Sequence, residues 1–210
     1  MVKSGALVKV DYVLKVSGET VDQGKGTVFA VGKKHVIKGF DEALQKAEVG
    51  TPVEVTLEPK DAYGERNAEL LRLVSLDIFK RQGVEPVPGM VVELDGMSAR
   101  VQSASGGRVR VDFNHELAGK TLHYAFTITE ELKGGLAKVK SLVDQVFLKP
   151  DDVECTFDET AKTATLNFKA ETCKKQGFVQ AKNTAIGMTL AFVDEVEKVK
   201  VSEEYSKVQK

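Results

Sequence analysis

Val36-Ile37-Lys38-Gly39-Phe40-Asp41-Glu42-Ala43-Leu44 is the stretch on which the fold of this chain turns. After Gly39, the residues Phe40, Ala43, Leu44 and Ala47 share one face at helical spacing, which predicts a short amphipathic helix. Strands flank it on both sides. Val8, Val10, Tyr12, Leu14 and Val16 alternate with Lys9, Asp11 and Lys15, the pattern of a half-buried strand, with Val13 the exception. Ser17-Gly18-Glu19 reads as a turn, and Val28-Phe29-Ala30-Val31 as a short strand. Val53, Val55 and Leu57 alternate with Glu54 and Thr56. Far downstream, Leu122, Tyr124, Phe126 and Ile128 alternate with His123, Ala125 and Thr127. The two ends of the region 1 to 131 therefore read as one β-rich domain with a short helix.

The middle of that region differs in composition. Every arginine (Arg66, Arg72, Arg81, Arg100, Arg108 and Arg110) lies between 66 and 110; elsewhere the cations are lysines. Short strands near 69 to 75, 90 to 94, 98 to 104 and 107 to 113, with Pro86, Pro88 and Gly89 at a turn, predict a small β-rich unit at 67 to 112, inserted into the first domain.

Glu131-Leu132-Lys133-Gly134-Gly135 reads as a joint. Beyond it Leu136, Val139, Leu142, Val143, Val146 and Phe147 have helical spacing, and Pro150 is expected to stop that helix. Val153, Cys155 and Phe157, then Ala164, Leu166 and Phe168, alternate around a turn at Asp158-Glu159-Thr160-Ala161. A second helix is expected over about 174 to 193, against the helix-weakening Gly177 and Gly187, and Val199 and Val201 suggest a last strand. Residues 132 to 210 thus read as an α-β-β-α-β domain.

The chain has 210 residues and a formal net charge of -1, so no global field favours nucleic acid or a membrane surface. Cys155 and Cys173 form neither a CxxC motif nor a disulfide framework. The start lacks a signal-like apolar stretch, and no apolar run reaches the roughly 20 residues that span a bilayer. A soluble, cytoplasmic protein is expected. There is no P-loop, GxSxG elbow, HExxH or dinucleotide fingerprint. The three histidines have no ligand-like spacing, so neither a catalytic metal nor a cofactor is expected.

Two further phrases complete the first: Lys60-Asp61-Ala62-Tyr63-Gly64-Glu65 and Asn114-His115-Glu116-Leu117-Ala118-Gly119-Lys120-Thr121-Leu122-His123-Tyr124. In order and spacing the three resemble the FKBP type of peptidyl-prolyl isomerase, in its SlyD-like form. The resemblance covers most of residues 6 to 130 apart from the insert. It implies an α+β fold: an FKBP-like antiparallel sheet with a short helix at 1–66 and 113–131, a chaperone domain inserted in the flap at 67–112, and an extra C-terminal domain at 132–210. It implies that Tyr12, Asp22, Tyr63 and Tyr124 are catalytic. It implies that Phe29, Val36, Ile37, Phe40, Leu117 and Leu122 meet substrate. The chain departs from the family pattern at Lys38, where proline is usual, and at Tyr124, where phenylalanine is more usual; Phe40 falls where the pocket floor is usually tryptophan or a large apolar residue, and the chain has no tryptophan. The His-rich metal-binding tail of SlyD-like proteins has no counterpart in Glu203-Glu204-Tyr205-Ser206-Lys207-Val208-Gln209-Lys210, so metal binding is not carried over.

Without the resemblance, Tyr12, Phe29, Phe40 and Leu117 read as ordinary core, Asp22 as a turn cap, Tyr63 as a loop aromatic and His115 as a structural histidine. The implied activity is prolyl cis-trans isomerisation joined to chaperone action on unfolded or partly folded chains. Leu70, Leu71, Leu73, Val74, Ile78 and Phe79 of the insert are divided between its core and an exposed client surface. A holdase without catalysis is the alternative reading, and a nucleic-acid adaptor, resting on the insert's arginines, is a distant third. For the C-terminal domain the resemblance to longer members implies a homodimer contact or client binding.

Overall fold

The computed structural model describes residues 1–147 and 153–205. The helix stop expected at Pro150 and the tail beyond Tyr205 lie outside them. The chain forms two compact units, one of Met1–Thr56 with His123–Lys210 and one of Leu57–Leu122. The second unit reaches beyond the bounds 67 and 112 expected for the insert.

The first unit opens with β1 (Leu7–Val16) and β2 (Glu19–Ala30), an antiparallel hairpin. Its two turn residues, Ser17 and Gly18, have φ of +51° and +87°. Positive φ at both central positions gives the turn whose twist matches that of the paired strands. β2 is much longer than the four residues expected from sequence. Its first half is mostly exposed and polar, so no apolar alternation betrayed it, and pairing with β1 holds it. Next comes α1 (Lys38–Lys46), which buries Phe40 and Leu44, and then β3 (Pro52–Leu57).

The second unit carries β4 (Leu71–Ser75), α2 (Leu76–Arg81), β5 (Val91–Leu94), β6 (Met97–Ser105) and β7 (Arg108–Asp112), with sheet order β4-β7-β6-β5 and every pairing antiparallel. Phe79, Leu94, Ala99, Val101, Val109 and Val111 form its core. The helix α2 was not read from the sequence. Ser75 caps it by accepting the Asp77 N–H at 3.2 Å, and its six residues are too few to show a period. The apolar residues of the insert divide as expected: Phe79 is fully buried, whereas Leu73 is 65% exposed and Ile78 38%.

The chain re-enters the first unit through β8 (Leu122–Leu132), which completes a sheet of order β2-β1-β8-β3. Opposite β1, Tyr124 pairs with Leu14, Phe126 with Tyr12, and Ile128 with Val10, so one face is continuously apolar. Then follow α3 (Gly135–Phe147), β9 (Val153–Asp158), β10 (Thr163–Phe168), α4 (Ala170–Cys173), α5 (Phe178–Phe192) and β11 (Lys198–Glu203). β10 is antiparallel to β9 and parallel to β11. The helix expected at about 174 to 193 is α5, which begins only at Phe178: Gly177, at φ +78°, stands immediately before it, in a conformation no L residue holds cheaply inside a helix, and the short α4 precedes the expected span. Gly187 stays inside α5. Gly135 is required sterically, because a Cβ there would come within 2.4 Å of the Phe157 ring.

One core joins these elements to the hairpin: Leu7, Val28, Ala30 and Leu132 pack in a cluster with Val139, Leu142, Val143, Leu166, Phe168, Phe178 and Ala185. Both cysteines are free and half-buried. Burial, with Asp144 nearby, pushes the Cys155 thiol up to about 11, so its reactive thiolate is scarce at neutral pH. Among the described residues no helix is long and apolar enough to cross a membrane.

Candidate functional site

The apolar face of the first sheet, closed by α1, carries a cluster of rings. Phe40 sits at its centre, 2% exposed. Tyr124 stacks on it at 4.4 Å between centroids, Phe29 meets it edge-on at 5.6 Å, Phe126 edge-on at 5.2 Å, and Tyr12 lies 6.3 Å away. Phe29 also meets Tyr12 edge-on at 5.7 Å. These separations and tilts are those that aromatic quadrupoles favour. Phe29 and Tyr12 are half-buried, so the cluster grades from a buried floor at Phe40 to accessible walls.

At the accessible edge the Tyr12 hydroxyl donates to Asp22 Oδ2 at 2.9 Å, while Asp22 Oδ1 accepts the Gln23 N–H. Asp22 is exposed and belongs to the extended half of β2, so it is more than a turn cap. The tyrosine owes its place to a bulge. Between Val10 and Tyr12 the pairing with β2 skips from Thr27 to Gly24, and Asp11 Oδ1 accepts the Gly26 N–H at 2.7 Å. A side chain at Gly24 would come within 2.6 Å of the Tyr12 ring, so the close approach demands glycine.

Val36 and Ile37 are half-buried and lead directly into α1, with the Ile37 carbonyl accepting the Asp41 N–H at 3.0 Å. The buried Asp41 carboxylate accepts the Gly32 N–H at 2.7 Å and a Gln45 amide N–H at 3.2 Å, tying the loop before α1 to the helix. Sequence reading missed His35 here. Its Nδ1 accepts the Ala30 N–H at 3.2 Å, and its ring lies 6.0 Å from Phe29. Burial lowers its pKa, with Asp41 working the other way, so the ring is neutral near pH 7.

The first unit therefore brings together Tyr12, Asp22, Phe29, Phe40 and Tyr124. Tyr63 and Leu117 belong to the second unit. There the Tyr63 ring stacks on His115 at 3.8 Å, nearly parallel at 5°. His115 Nδ1 accepts the Leu117 N–H at 3.1 Å, and the Gly119 N–H donates to the Gly64 carbonyl at 2.8 Å. The Ala-Tyr-Gly and Asn-His-x-Leu-Ala-Gly phrases are thus held against each other, with His115 the link between Tyr63 and Leu117. Leu122, which opens β8, is fully buried.

Behind these phrases lies a polar clasp that no sequence pattern announced. Asp112, at the end of β7, pairs with Arg66 and accepts from the Asn114 backbone at 2.9 Å and its side chain at 2.8 Å. Asn114 in turn donates to the Asn67 carbonyl at 3.0 Å and accepts the Asn67 N–H at 2.8 Å. Burial of Asp112 favours its neutral form, but the hydrogen bonds from Asn114 and the Arg66 charge outweigh it and lower its pKa. The clasp ties together the two strands of chain that enter and leave the insert.

A cleft of about 660 Å³ is lined by Tyr12 and Phe126 of the ring cluster, by Gly24, and by Asp11, Val13 and Thr127, which alternate with the ring-bearing positions. Among the described residues no group of three or more His, Cys, Asp or Glu side chains is placed to hold a metal ion.

The chain is similar to known proteins over these regions. A family model described as FKBP-type peptidyl-prolyl cis-trans isomerase matches residues 1–73, and one described as the IF domain of FKBP26 matches residues 72–117. The short-type peptidyl-prolyl cis-trans isomerase of Methanocaldococcus jannaschii is 33% identical over 147 residues, covering 62% of this chain and 94% of its own. The SlyD isomerase of Helicobacter pylori is 30% identical over 135 residues, covering 60% and 72%. The FKBP-type 16 kDa isomerase of Escherichia coli is 30% identical over 139 residues, covering 61% and 93%.

Proposed function

The chain belongs to the FKBP-type peptidyl-prolyl cis-trans isomerase family, in its SlyD-like form, and is an enzyme of that class; from that premise we propose that it acts on Xaa-Pro bonds of unfolded or partly folded polypeptides, with the ring cluster around Phe40 as its prolyl pocket. The barrier to rotation, about 18–20 kcal/mol, is resonance energy of the amide. Catalysis therefore needs tighter binding of the twisted amide than of either planar form, not a nucleophile. Phe29, Phe40 and the loop at Val36 and Ile37 are the proposed apolar seat for the proline ring. The observation that carries the reading is the Tyr12–Asp22 hydrogen bond at the exposed edge of an otherwise apolar ring cluster. It offers a fixed dipole and a charge beside an amide whose resonance is being broken. Tyr124 completes the pocket wall. The roles proposed for Tyr63, as donor to a substrate carbonyl, and for Leu117 and Leu122, as substrate contacts, follow from the family phrases they stand in. The reaction needs no cofactor or metal.

The insert is proposed to hold clients. Leu73, Ile78, Val87, Val91 and Met97 are exposed apolar side chains of the second unit, a surface that suits unfolded chain. Holding a client on the same chain as a pocket raises the effective concentration of its prolines. Action in the cytoplasm and a homodimer through the C-terminal elements complete the proposal; nucleic acid and membranes are not proposed partners.

The test is cis-trans exchange of a short Xaa-Pro peptide, followed by NMR with catalytic amounts of the full chain. Acceleration that falls on Asp22→Ala, in a folded sample, is the expected result. No acceleration by the folded wild type overturns the proposed substrate and pocket.

A further inference from the structure

β2 is an edge strand of its sheet, so among the described residues one side of its backbone has no strand partner. Phe29 stands on that strand between Val28 and Ala30. Its ring faces the aromatic cluster, while Val28 and Ala30, pointing the opposite way, are buried in the core shared with α3 and α5. Val28 and Ala30 also turn their backbone N–H groups to the unpaired side. Each is met there by a side chain. The amide of Gln145, on α3, accepts the Val28 N–H at 2.5 Å and donates to the Val28 carbonyl at 3.4 Å, in place of a neighbouring strand. The Ala30 N–H is taken by His35 Nδ1. His35 in turn packs against Phe192, at the end of α5, with ring centroids 4.4 Å apart and planes 33° from parallel. Lys33 is tied to Asp194, just beyond α5, at 2.7 Å.

We infer that Gln145 and Phe192 are positioning residues of the prolyl pocket: they fix the segment 28–35, which carries Phe29 and delivers Val36 and Ile37. The inference rests on the pocket assignment proposed above. The physical reason is that the hairpin cannot anchor this edge itself. An unpaired edge N–H and C=O are satisfied by water or by a supplied partner, and only a supplied partner fixes the strand's position. Removing the Phe192 ring leaves His35 free to turn, and with it the hydrogen bond that pins Ala30. Phe29 then loses a defined distance from Phe40 and Tyr12, and the seat for a proline ring loosens for planar and twisted substrate alike.

The experiment measures kcat and KM separately on the short Xaa-Pro peptide, using the full chain and the variants Phe192→Ala, Phe192→Tyr and Gln145→Ala, each checked for folding by circular dichroism. A rise in KM of roughly tenfold, the scale of a wall displaced by a fraction of an ångström, is expected for Phe192→Ala, with kcat within about twofold because uniform binding is what is lost. Gln145→Ala is expected to raise KM in the same direction. Phe192→Tyr keeps the ring and is expected to restore the wild-type KM. A purely structural loss removes active molecules and lowers apparent kcat with KM unchanged, so that pattern overturns the inference. Unchanged KM in folded Gln145→Ala overturns it also, which keeps the test decisive if Phe192→Ala fails to fold. A wild type inactive on the peptide brings down the pocket assignment and the inference with it, whereas an active wild type with indifferent variants brings down the inference alone.

Discussion

The ring cluster of the first unit and the clasp of the second hold their surroundings by opposite physics. Around Phe40, rings stack or meet edge to face and most of the stabilisation is non-directional burial. Around Asp112, a buried carboxylate is satisfied by a guanidinium and two hydrogen bonds from Asn114. The cluster tolerates small adjustments, as its proposed role as an apolar seat requires. The clasp is all or nothing, because a partner removed leaves a buried charge or donor unmet. The proposed prolyl pocket suits the first kind of packing. A base that must hold the entry and exit of an inserted unit suits the second.

The sharpest way to break the comparison is Phe40→Ala. Truncating a fully buried phenylalanine costs about 3–5 kcal/mol, and urea unfolding of the full chain is expected to show the loss. The wild-type backbone amide protection of β6 and β7 is expected to survive. Second in size is Asp112→Ala, which strands Asn114 and half-exposed Arg66 for a loss of about 2 kcal/mol. Here amide exchange is expected to accelerate at residues 66–70 and 112–117 while the ring cluster keeps its NMR shifts. Asp112→Asn, which keeps the shape, is expected to recover part of the loss; a full loss in Asn and no loss in Ala would both contradict the clasp.

The mildest probe is pH. His35 has a folded pKa below its ordinary 6.5, so in the window between the two values the unfolded chain binds more protons. Its contribution is present above pH 6.5 and is lost as pH falls through the folded value. Asp112 also has a folded pKa below its ordinary value, 3.8, so its contribution is present above that value and lost as pH falls further. Acid titration followed residue by residue is therefore expected to disturb the segment around Ala30 and His35 first and the clasp only in stronger acid. The reverse order would overturn both assignments.

Much of the first region was legible because its residues repeat. Alternation from Val8 to Val16 and from Leu122 to Ile128 names two strands and the face they share, and the structure pairs them. The spacing of Phe40, Leu44 and Ala47 names the helix that covers that face. The polar first half of β2 has no such period, and neither does the six-residue α2. Of the candidate site, the family resemblance named Tyr12, Phe29, Phe40 and Tyr124, and the structure brings these four rings together. His35, Gln145 and Phe192 were not legible, since a lone histidine, glutamine or phenylalanine carries no periodic signal. Nor was the clasp, whose partners Arg66 and Asp112 stand 46 positions apart. The one available hint was the grouping of arginines between 66 and 110, which marked the insert without saying which arginine would be paired.

By itself the sequence determined the periodic strands and helices, the family, and the apolar character of the proposed pocket, because periodic burial and contiguous phrases are properties of neighbours along the chain. Only the tertiary structure decided that Gln145 meets Val28 and Phe192 meets His35 beside the strand that carries Phe29, and that Asp112 gathers Arg66 and Asn114. Those pairings join residues distant in sequence through single directional contacts, and which donor meets which acceptor is set only once the strands and helices are in place.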